Sequence, residues 1–498
     1  MEPKDQTASL GGRVARGASW IAAARLLANL LGFVSMIVVA RLLAPEDFGL
    51  VAVAVTAMQL LQGISDFGVS QAVVRFRDAG RADLDTLFTL SAIRGVAIAA
   101  LLALAAPFAA QFFNDPRLVA VFIAAGAYPL LSGLANPRFF EFERAIDFSK
   151  EFVWLVGSKI ASVIAAVAVA ATVRNYWAVI AGLVALAATQ LALSYAMRPH
   201  RPRLTLVSWR KVIGFSGWLA GVSFMAALNN KIDAFILARF VGPVGTGNFY
   251  YGFQLAELPT REFSTPVARA IYPGLSELQG ETDRMRAAFL KGVEALGAIG
   301  MPMSIGFAFV ANDMIPLLLG AKWQGAIPVV EVLTPILGVQ TLFLATQYYA
   351  MALGLTRLVF IRELIFFLVR FPVILWATMA HGLTGAVYAV AACGVLHVVL
   401  NLLLYARAAG RPAFEPLLVA RRSLGAVAAM AAYFIFLRPD AALAETSAWV
   451  RLTADICAGA GVYAAALMAL WRLEGLPDGV ERRIAGMIGD AAGRVRRA

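Results

Sequence analysis

Long apolar stretches alternate with short polar connections over nearly the whole chain. Fourteen of these stretches approach the roughly 20 residues that a membrane-spanning helix needs. They lie at 18–41, 47–67, 87–111, 117–137, 152–173, 176–197, 212–239, 246–271, 288–311, 326–350, 358–380, 382–405, 418–438 and 450–471. The pattern predicts an all-α integral membrane protein of about fourteen transmembrane helices, without a loop long enough for a catalytic domain.

The composition supports a membrane protein rather than a soluble one. The chain is 60% hydrophobic and 15% charged, with a mean hydropathy of +0.74, whereas soluble domains average about 45–50% apolar and 25% charged residues. In a soluble protein the net charge of +12 would suggest a nucleic-acid partner. Here the charge lies mainly in loops, so no nucleic acid is expected.

The basic residues also predict the orientation of the chain. With the N-terminus in the cytoplasm, 29 of the 43 basic residues fall on the cytoplasmic side. The opposite side holds seven: Arg41, Arg117, Arg174, Arg239, Lys322, Arg438 and Arg451. This asymmetry predicts a multi-pass protein with both termini cytoplasmic.

The two ends of the chain predict parts of its topology, and its cysteines and histidines argue against a metal site. Residues 1–17 form a polar cytoplasmic N-terminus, and the first span is expected to be a retained signal anchor. The basic tail 472–498 is expected to lie on the inner leaflet as an amphipathic helix, although a frayed tail fits equally well. The cysteines and histidines have no metal-site spacing, and no catalytic set or nucleotide loop appears, so neither a cofactor nor covalent chemistry is expected.

An internal repeat appears when the sequence is shifted by 198 residues. The matches are Trp20/Trp218, Ala22/Ala220, Ala40/Ala238, Arg41/Arg239, Pro45/Pro243 and Gly49/Gly247. An offset of six helices makes the repeat parallel, and two such halves around a central cavity are typical of transporters. The predicted parts are an N-lobe at 18–198, a linker at 199–211, a C-lobe at 212–405, a loop at 406–417 and a helix pair at 418–471.

Ionisable residues inside the spans point to a polar interior. The bases are Arg25, Arg94, Lys159, Lys231, Arg261, Arg269 and Arg370, and the acids are Asp233, Glu257, Glu262 and Glu331. Each charge costs about 2.5–3.5 kcal/mol at the bilayer centre, so most must pair, snorkel or line a water-filled cavity. The surplus of bases predicts a site for an anionic head group, with Arg25 and Arg261 as first choices and Arg94, Lys159, Lys231 and Arg370 as further candidates. Interhelical salt bridges without substrate contact remain the alternative for each residue.

The eighth predicted helix holds several further candidates. Helical spacing predicts the ion pairs Glu257–Arg261 and Glu262–Arg269, and Pro259 and Pro266 are hinge candidates because proline kinks a helix. Glu257 and Glu262, together with Asp233 and Asn230 of the seventh predicted helix, are candidates for coupling-ion binding or gating. Tyr250 and Tyr251 could contact sugars, or belong to an interfacial aromatic belt.

Several motifs resemble the Wzx-type polysaccharide flippases of the multidrug/oligosaccharidyl-lipid/polysaccharide exporter superfamily. They are Gly17-Ala18-Ser19-Trp20, Val39-Ala40-Arg41-Leu42-Leu43-Ala44-Pro45-Glu46-Asp47-Phe48-Gly49-Leu50, Phe142-Glu143-Arg144, Tyr176-Trp177-Ala178, Tyr272-Pro273-Gly274 and Leu319-Gly320-Ala321-Lys322-Trp323. The resemblance runs from about residue 12 to 410.

The resemblance implies a function and partners. It implies alternating access that flips undecaprenyl-pyrophosphate-linked oligosaccharide across a bacterial inner membrane, for O-antigen, capsule or exopolysaccharide. Membrane lipids, a polysaccharide polymerase and export machinery are the implied partners. The alternative is a cation-coupled drug exporter of the same superfamily, which would favour acids or aromatics over bases in its cavity. A polysaccharide polymerase or ligase would need a large outer loop with catalytic residues, which this sequence does not show. A scaffold would not need charges within its spans.

Overall fold

A computed structural model describes residues 10–65, 80–144, 148–209, 217–264, 280–439 and 446–476, with the single residues 275 and 278. Fourteen long helical segments and no β-strand occur in these ranges. The first seven are α1 (Leu10–Leu42), α2 (Pro45–Ile64), α3 (Arg81–Phe113), α4 (Arg117–Gly133), α5 (Phe148–Thr172), α6 (Trp177–Met197) and α7 (Gly217–Phe240). The others are α8 (Gly242–Pro259), α9 (Thr282–Leu319), α10 (Ala321–Ala352), α11 (356–381), α12 (383–409), α13 (Arg421–Ala432) and α14 (Ala448–Leu473).

These helices confirm the predicted all-α membrane fold, and each coincides with one predicted span. Among the residues that the structure describes, eight stretches are long and apolar enough to cross a membrane by themselves, one of them the 54-residue stretch Thr356–Ala409. That stretch is two helices, because Gly382 has φ 60° and ψ −139° in its middle. Glycine populates this region without the penalty that a Cβ imposes, so α11 turns into α12 without a loop.

Several helices contain irregular turns that the apolar pattern does not reveal. A π-helical turn, Thr260–Ser264, extends α8 beyond Pro259, and another, Tyr433–Leu437, extends α13. A 3₁₀ turn at Thr341–Phe343 interrupts α10. Such turns are frequent at functional or strained places in helices.

The chain forms two compact units, Met1–Gly247 and Asn248–Ala498. In the first unit α5 packs against α1 and α6, and α7 packs against α2. Residues 50–55 of α2 are small or branched and all buried, so α2 is buried on every side there. At the end of this unit, a Cβ at Gly49 would lie 1.8 Å from the Pro243 carbonyl oxygen, so the two backbones are in direct contact.

In the second unit α9 is the central helix. It packs against α10, α13 and α14. Its Phe289 contacts the rings of Tyr349 and Tyr405, with ring centres 4.9 and 5.3 Å away. The Tyr463 hydroxyl of α14 donates to the Ala298 carbonyl of α9 at 2.8 Å. The C-terminal helix pair is thereby built into the core of this unit.

Some predicted features lie outside the described residues. These are Pro266, Arg269 and the basic tail from residue 477 onward. The boundaries of the predicted lobes stay a prediction.

Candidate substrate site

Two basic residues of the first unit lie at one face of α1, namely Arg25 of α1 itself and Lys159 of α5. The Arg25 side chain is exposed within the span Ser19–Leu42, and it forms no ion pair with any part of the chain that the structure describes. Gly32 lies two turns further along the same face. A Cβ at Gly32 would lie 3.3 Å from Lys159 Nζ of α5, so the lysine ammonium lies against the α1 backbone there. The face therefore presents two positive charges at membrane depth.

A side chain at position 32 would crowd the end of this lysine, because a Cβ there would lie 3.2 Å from Lys159 Cε. The α1–α5 pair also contains an edge-to-face contact between Trp20 and Phe152, with ring centres 5.2 Å apart. Ala24 and Ala28 on the buried side of α1 are 1% and 8% exposed, so small side chains hold the helices close. Arg25 lies beside this packed seam rather than inside it.

The other candidates of the first unit lie on α3 and α7. The Arg94 guanidinium interacts electrostatically with the Tyr128 hydroxyl of α4. On α7, Asp233 is 5% exposed, whereas Lys231 is half-buried and Asn230 is exposed. These three neighbours point in different directions, so α7 does not gather them into one site.

In the second unit α8 carries a polar stripe, defined here as Tyr250, Gln254, Glu257 and Arg261. The first three are three or four residues apart, which places them on one helical face, and Arg261 follows in the π-helical turn Thr260–Ser264. The Tyr250 hydroxyl forms a hydrogen bond with Gln254 and interacts electrostatically with Arg261 and Glu257. The Arg261 side chain is 50% exposed at the end of the stripe.

The predicted ion pair between Glu257 and Arg261 is wrong. Arg261 Nε instead donates to Oε1 of its neighbour Glu262 at 3.1 Å. The reason is the π-helical turn after Pro259, which widens the helix and shifts the Arg261 side chain away from the i, i+4 register. Tyr251 is also not available to sugars, because it is 5% exposed and stacks on Trp323 at 4.6 Å between ring centres.

A buried polar cluster, missed by the sequence reasoning, joins α10, α11 and α12. Arg362 Nη1 donates to Asn401 Oδ1 at 2.7 Å, and its Nη2 pairs with Glu363. His397 Nε2 and Gln347 Oε1 each lie 3.5 Å from the guanidinium. Arg362 and Glu363 are each 6% exposed, so the pair is desolvated.

The predicted site residue Arg370 lies near this cluster rather than in an open cavity. It is 9% exposed, with its guanidinium 5.4 Å from the Phe366 ring centre, and that ring lies 4.8 Å from the His397 ring. A signal for the cluster was present, because His397 and Asn401 are four residues apart on an otherwise apolar helix.

A cavity of about 440 Å³ lies between α9, α10 and α13. Its wall is apolar except for one carboxylate, and its lining residues are Ile305, Ala308, Phe309, Glu331, Pro335 and Ala431. Glu331 is exposed in the protein although it lies within a span. The cavity suits a cation or a proton better than an anion.

The fourteen helices of the described residues, the parallel internal repeat and the charged residues within the spans are together the features of a multi-span membrane transporter. The chain belongs to the polysaccharide biosynthesis protein family, because a model of that family matches residues 38–328. This confirms the family resemblance expected from the sequence motifs.

Curated relatives come from several bacteria. The lipopolysaccharide biosynthesis protein WzxC of Escherichia coli (strain K12) is 26% identical over 333 residues, covering 65% of this chain and 67% of the relative. The succinoglycan biosynthesis transport protein ExoT of Rhizobium meliloti (strain 1021) is 24% identical over 336 residues, covering 66% and 67%.

Solved structures share the fold at low identity. The lipid II flippase MurJ in an inward closed conformation aligns with a TM-score of 0.70 and 14% identity, covering 91% of this chain and 98% of that one. An inward-facing multidrug resistance MATE family transporter of the MOP superfamily aligns with a TM-score of 0.57 and 16% identity, covering 77% and 95%. Both of these solved proteins are named as a flippase or a transporter. This agrees with a chain that does no covalent chemistry.

Proposed function

We propose that the protein flips a lipid-linked oligosaccharide, carried on undecaprenyl pyrophosphate, between the leaflets of a bacterial inner membrane. Two six-helix lobes would alternate access to a central cavity, and both termini would be cytoplasmic. The positive-inside charge pattern supports this orientation. The transported unit would belong to O-antigen, capsule or exopolysaccharide, with a polysaccharide polymerase and export machinery acting next.

The observation that carries the proposal is the basic face of α1. Arg25 is exposed and without an ion pair among the described residues, and Lys159 lies against the same face two turns away. A charge facing hydrocarbon would cost about 2.5–3.5 kcal/mol, so an exposed arginine at this depth must meet water or an anion. A pyrophosphate is the anion that the family relationship supplies, and arginine binds phosphate oxygens in a bidentate manner.

Arg261 is the other residue proposed to bind phosphate. Its pairing with Glu262 leaves the side chain half exposed, so it can exchange a surface ion pair of little net value for a phosphate. Arg94, Lys159, Lys231 and Arg370 remain proposed contributors, and Asp233, Glu257, Glu262 and Asn230 remain proposed coupling or gating residues. Pro259 and Pro266 remain proposed hinges.

The test is complementation of a flippase-deficient strain by Arg25→Ala and Arg261→Ala variants. Lipid-linked oligosaccharide is assayed on each leaflet, and membrane insertion is checked for each variant. We expect both variants to insert normally and to leave the intermediate on the cytoplasmic leaflet, whereas Arg25→Lys retains part of the export.

Arg357→Ala is the matched control, because Arg357 is exposed at the start of α11 and forms no ion pair with described residues. It should support full export. If Arg25→Ala and Arg261→Ala also support full export, the arginines are structural and the proposed head-group site is wrong.

A cation-coupled small-molecule exporter is the second candidate, and the Glu331 cavity is the observation that favours it. The discriminating measurement is efflux of a cationic dye from cells expressing the protein. Dye efflux that depends on an ion gradient and is abolished by Glu331→Gln would favour the exporter. Intact oligosaccharide flipping without dye efflux would exclude it.

A further inference from the structure

The connection after α6 has no regular secondary structure over residues 199–206, turns at 207–208, and is fixed along the first turns of α3. We define this segment, residues 200–209, as the strap. His200 Nε2 lies 3.1 Å from Asp85 Oδ1, and the same oxygen accepts from the Arg203 backbone N–H at 3.2 Å. The strap therefore begins on a buried carboxylate, because the Asp85 and His200 side chains are each 5% exposed.

Two threonines of α3 continue the attachment. The Thr205 N–H donates to Thr89 Oγ1 at 2.9 Å, and the Ser208 N–H donates to Thr86 Oγ1 at 3.3 Å. A non-helical backbone near hydrocarbon needs partners for its N–H groups, because lipid supplies none. Asp85, Thr86 and Thr89 provide such partners, so this part of the strap can lie close to the bilayer.

The length of α3 fixes the depth of the strap. With 33 residues at 1.5 Å each, α3 is about 50 Å long, whereas the hydrocarbon core is about 30 Å thick. If α3 is centred, about 10 Å, or seven residues, project at each end. The hydrocarbon boundary then falls near Thr89, and the strap, bound to positions 85–89, lies at the level of the lipid head groups.

The outward side of the strap combines apolar and basic groups. Leu204 is 78% exposed, Val207 82% and Trp209 45%, although burial of such side chains is favourable. Arg201 and Arg203 are also exposed, and neither forms an ion pair with the described part of the chain. Apolar side chains flanked by basic ones are typical of segments that bind an anionic membrane surface.

We infer that the strap is a binding site for anionic phospholipid. Leu204, Val207 and Trp209 enter the upper acyl region, and Arg201 and Arg203 hold the phosphate groups of the lipid. The hydrogen bonds to α3 set the strap at the correct depth. This site is independent of the proposed flipping function, since it needs only the membrane.

Depth is tested with a nitroxide at Val207→Cys, in a Cys393→Ala/Cys457→Ala background. The protein is reconstituted in phosphatidylethanolamine/phosphatidylglycerol vesicles and in phosphatidylcholine vesicles, and collision with oxygen and with a water-soluble nickel chelate is measured. We expect the label to meet oxygen more than nickel, most clearly in the anionic vesicles. An Ala82→Cys label, on the exposed first turn of α3, is the control and should meet more nickel.

The label also reports the alternatives. A Val207 label that meets nickel more than oxygen in both lipids would place the strap in water and overturn the inference. A label shielded from both reagents would mean that protein covers the strap, which overturns it as well.

Charge is tested by the rise in unfolding temperature when phosphatidylglycerol is added to detergent-solubilised protein. Arg201→Gln/Arg203→Gln should lose most of the rise. The control Arg174→Gln/Arg357→Gln, which removes two other exposed arginines, should keep it. If the strap variant keeps the rise, or if inorganic phosphate alone produces it, phosphatidylglycerol is not the ligand of the strap.

Discussion

Gly49 and Gly247 are 198 positions apart and make mirrored contacts. A Cβ at Gly49 would lie 1.8 Å from the Pro243 carbonyl oxygen, and a Cβ at Gly247 would lie 1.8 Å from the Pro45 carbonyl oxygen. Gly49 of α2 thus lies against Pro243 at the start of α8, and Gly247 of α8 lies against Pro45 at the start of α2. The internal repeat is therefore a structural symmetry, and glycine is required because a carbonyl occupies the space of any side chain.

The first prediction concerns this contact. Gly49→Ala and Gly247→Ala should each destabilise the protein, by about 1–3 kcal/mol or more, because overpacking forces the backbones apart. The double variant should cost less than the two single costs together, since one separation accommodates both methyl groups. Unfolding temperature in detergent is the measurement. Gly63→Ala is the control, because its Cβ would meet Ala227 at an ordinary 3.5 Å.

The second prediction concerns the buried cluster around Arg362. Glu363→Gln should destabilise by about 3–5 kcal/mol, because it leaves a desolvated guanidinium without its counter-charge. Arg362→Met/Glu363→Gln should be less destabilising than Glu363→Gln alone. Denaturant unfolding in detergent measures both. An Arg357→Met control on the same helix should change stability by less than about 0.5 kcal/mol. If all variants lost the same free energy of unfolding, the Arg362–Glu363 pair would not have the role described.

The sequence predicted the helices well because each span needs a long apolar stretch. It did not predict the side-chain partners as well. The π-helical turn after Pro259 moved Arg261 from Glu257 to Glu262, and no apolar pattern reports such a turn. Arg362 lies only six residues into α11, where the apolar pattern does not show whether a charge faces the head groups or the protein, and the folded protein buries it. Burial near a helix end depends on neighbouring helices, which one sequence does not reveal.

The third prediction concerns the ionic contacts through which Arg438, just after α13, joins α14 to α9. Arg438 binds Asp455 at 2.6 Å and Asp313 at 3.4 Å, and Asp455 is 1% exposed. Asp455→Asn should cost about 1.5–3 kcal/mol, the range for hydrogen bonds to charged groups. Arg438→Asp should cost more, and Arg438→Asp/Asp455→Arg should recover part of the loss in unfolding temperature.

A weaker pair provides the comparison for that experiment. Arg421 binds Glu474 at 2.8 Å, but its side chain is 61% exposed. Arg421→Gln should cost no more than about 1 kcal/mol. If it costs as much as Asp455→Asn, burial does not determine the strength of these contacts.

The fourth prediction concerns pH and the connection between α3 and α4. Burial alone would raise the pKa of Asp115, but hydrogen bonds from Arg117 and its charge outweigh this and lower the pKa below its usual value. The stabilisation that this pair gives to the folded state is therefore fully present above the ordinary aspartate pKa, about 3.9. It is lost as the pH falls through the lowered pKa of Asp115. Because Arg117 is 42% exposed, the effect should stay below about 1 kcal/mol.

The measurement is unfolding temperature between pH 3 and 7 for the wild type and for Asp115→Asn. The variant should show a slightly smaller loss of stability on acidification, and no difference from wild type in its slope between pH 5 and 7. Identical profiles over the whole range would show that the pair does not contribute.

The contacts of α9 with the last two helices also determine when the second unit can finish folding. Arg422 pairs with Glu294 across 128 residues of sequence, and Arg451 pairs with Asp313 across 138. During synthesis α9 therefore enters the membrane with two carboxylates whose partners do not yet exist. A chain truncated before α13 would lack both arginines, so its α9 would have to pack without these two contacts.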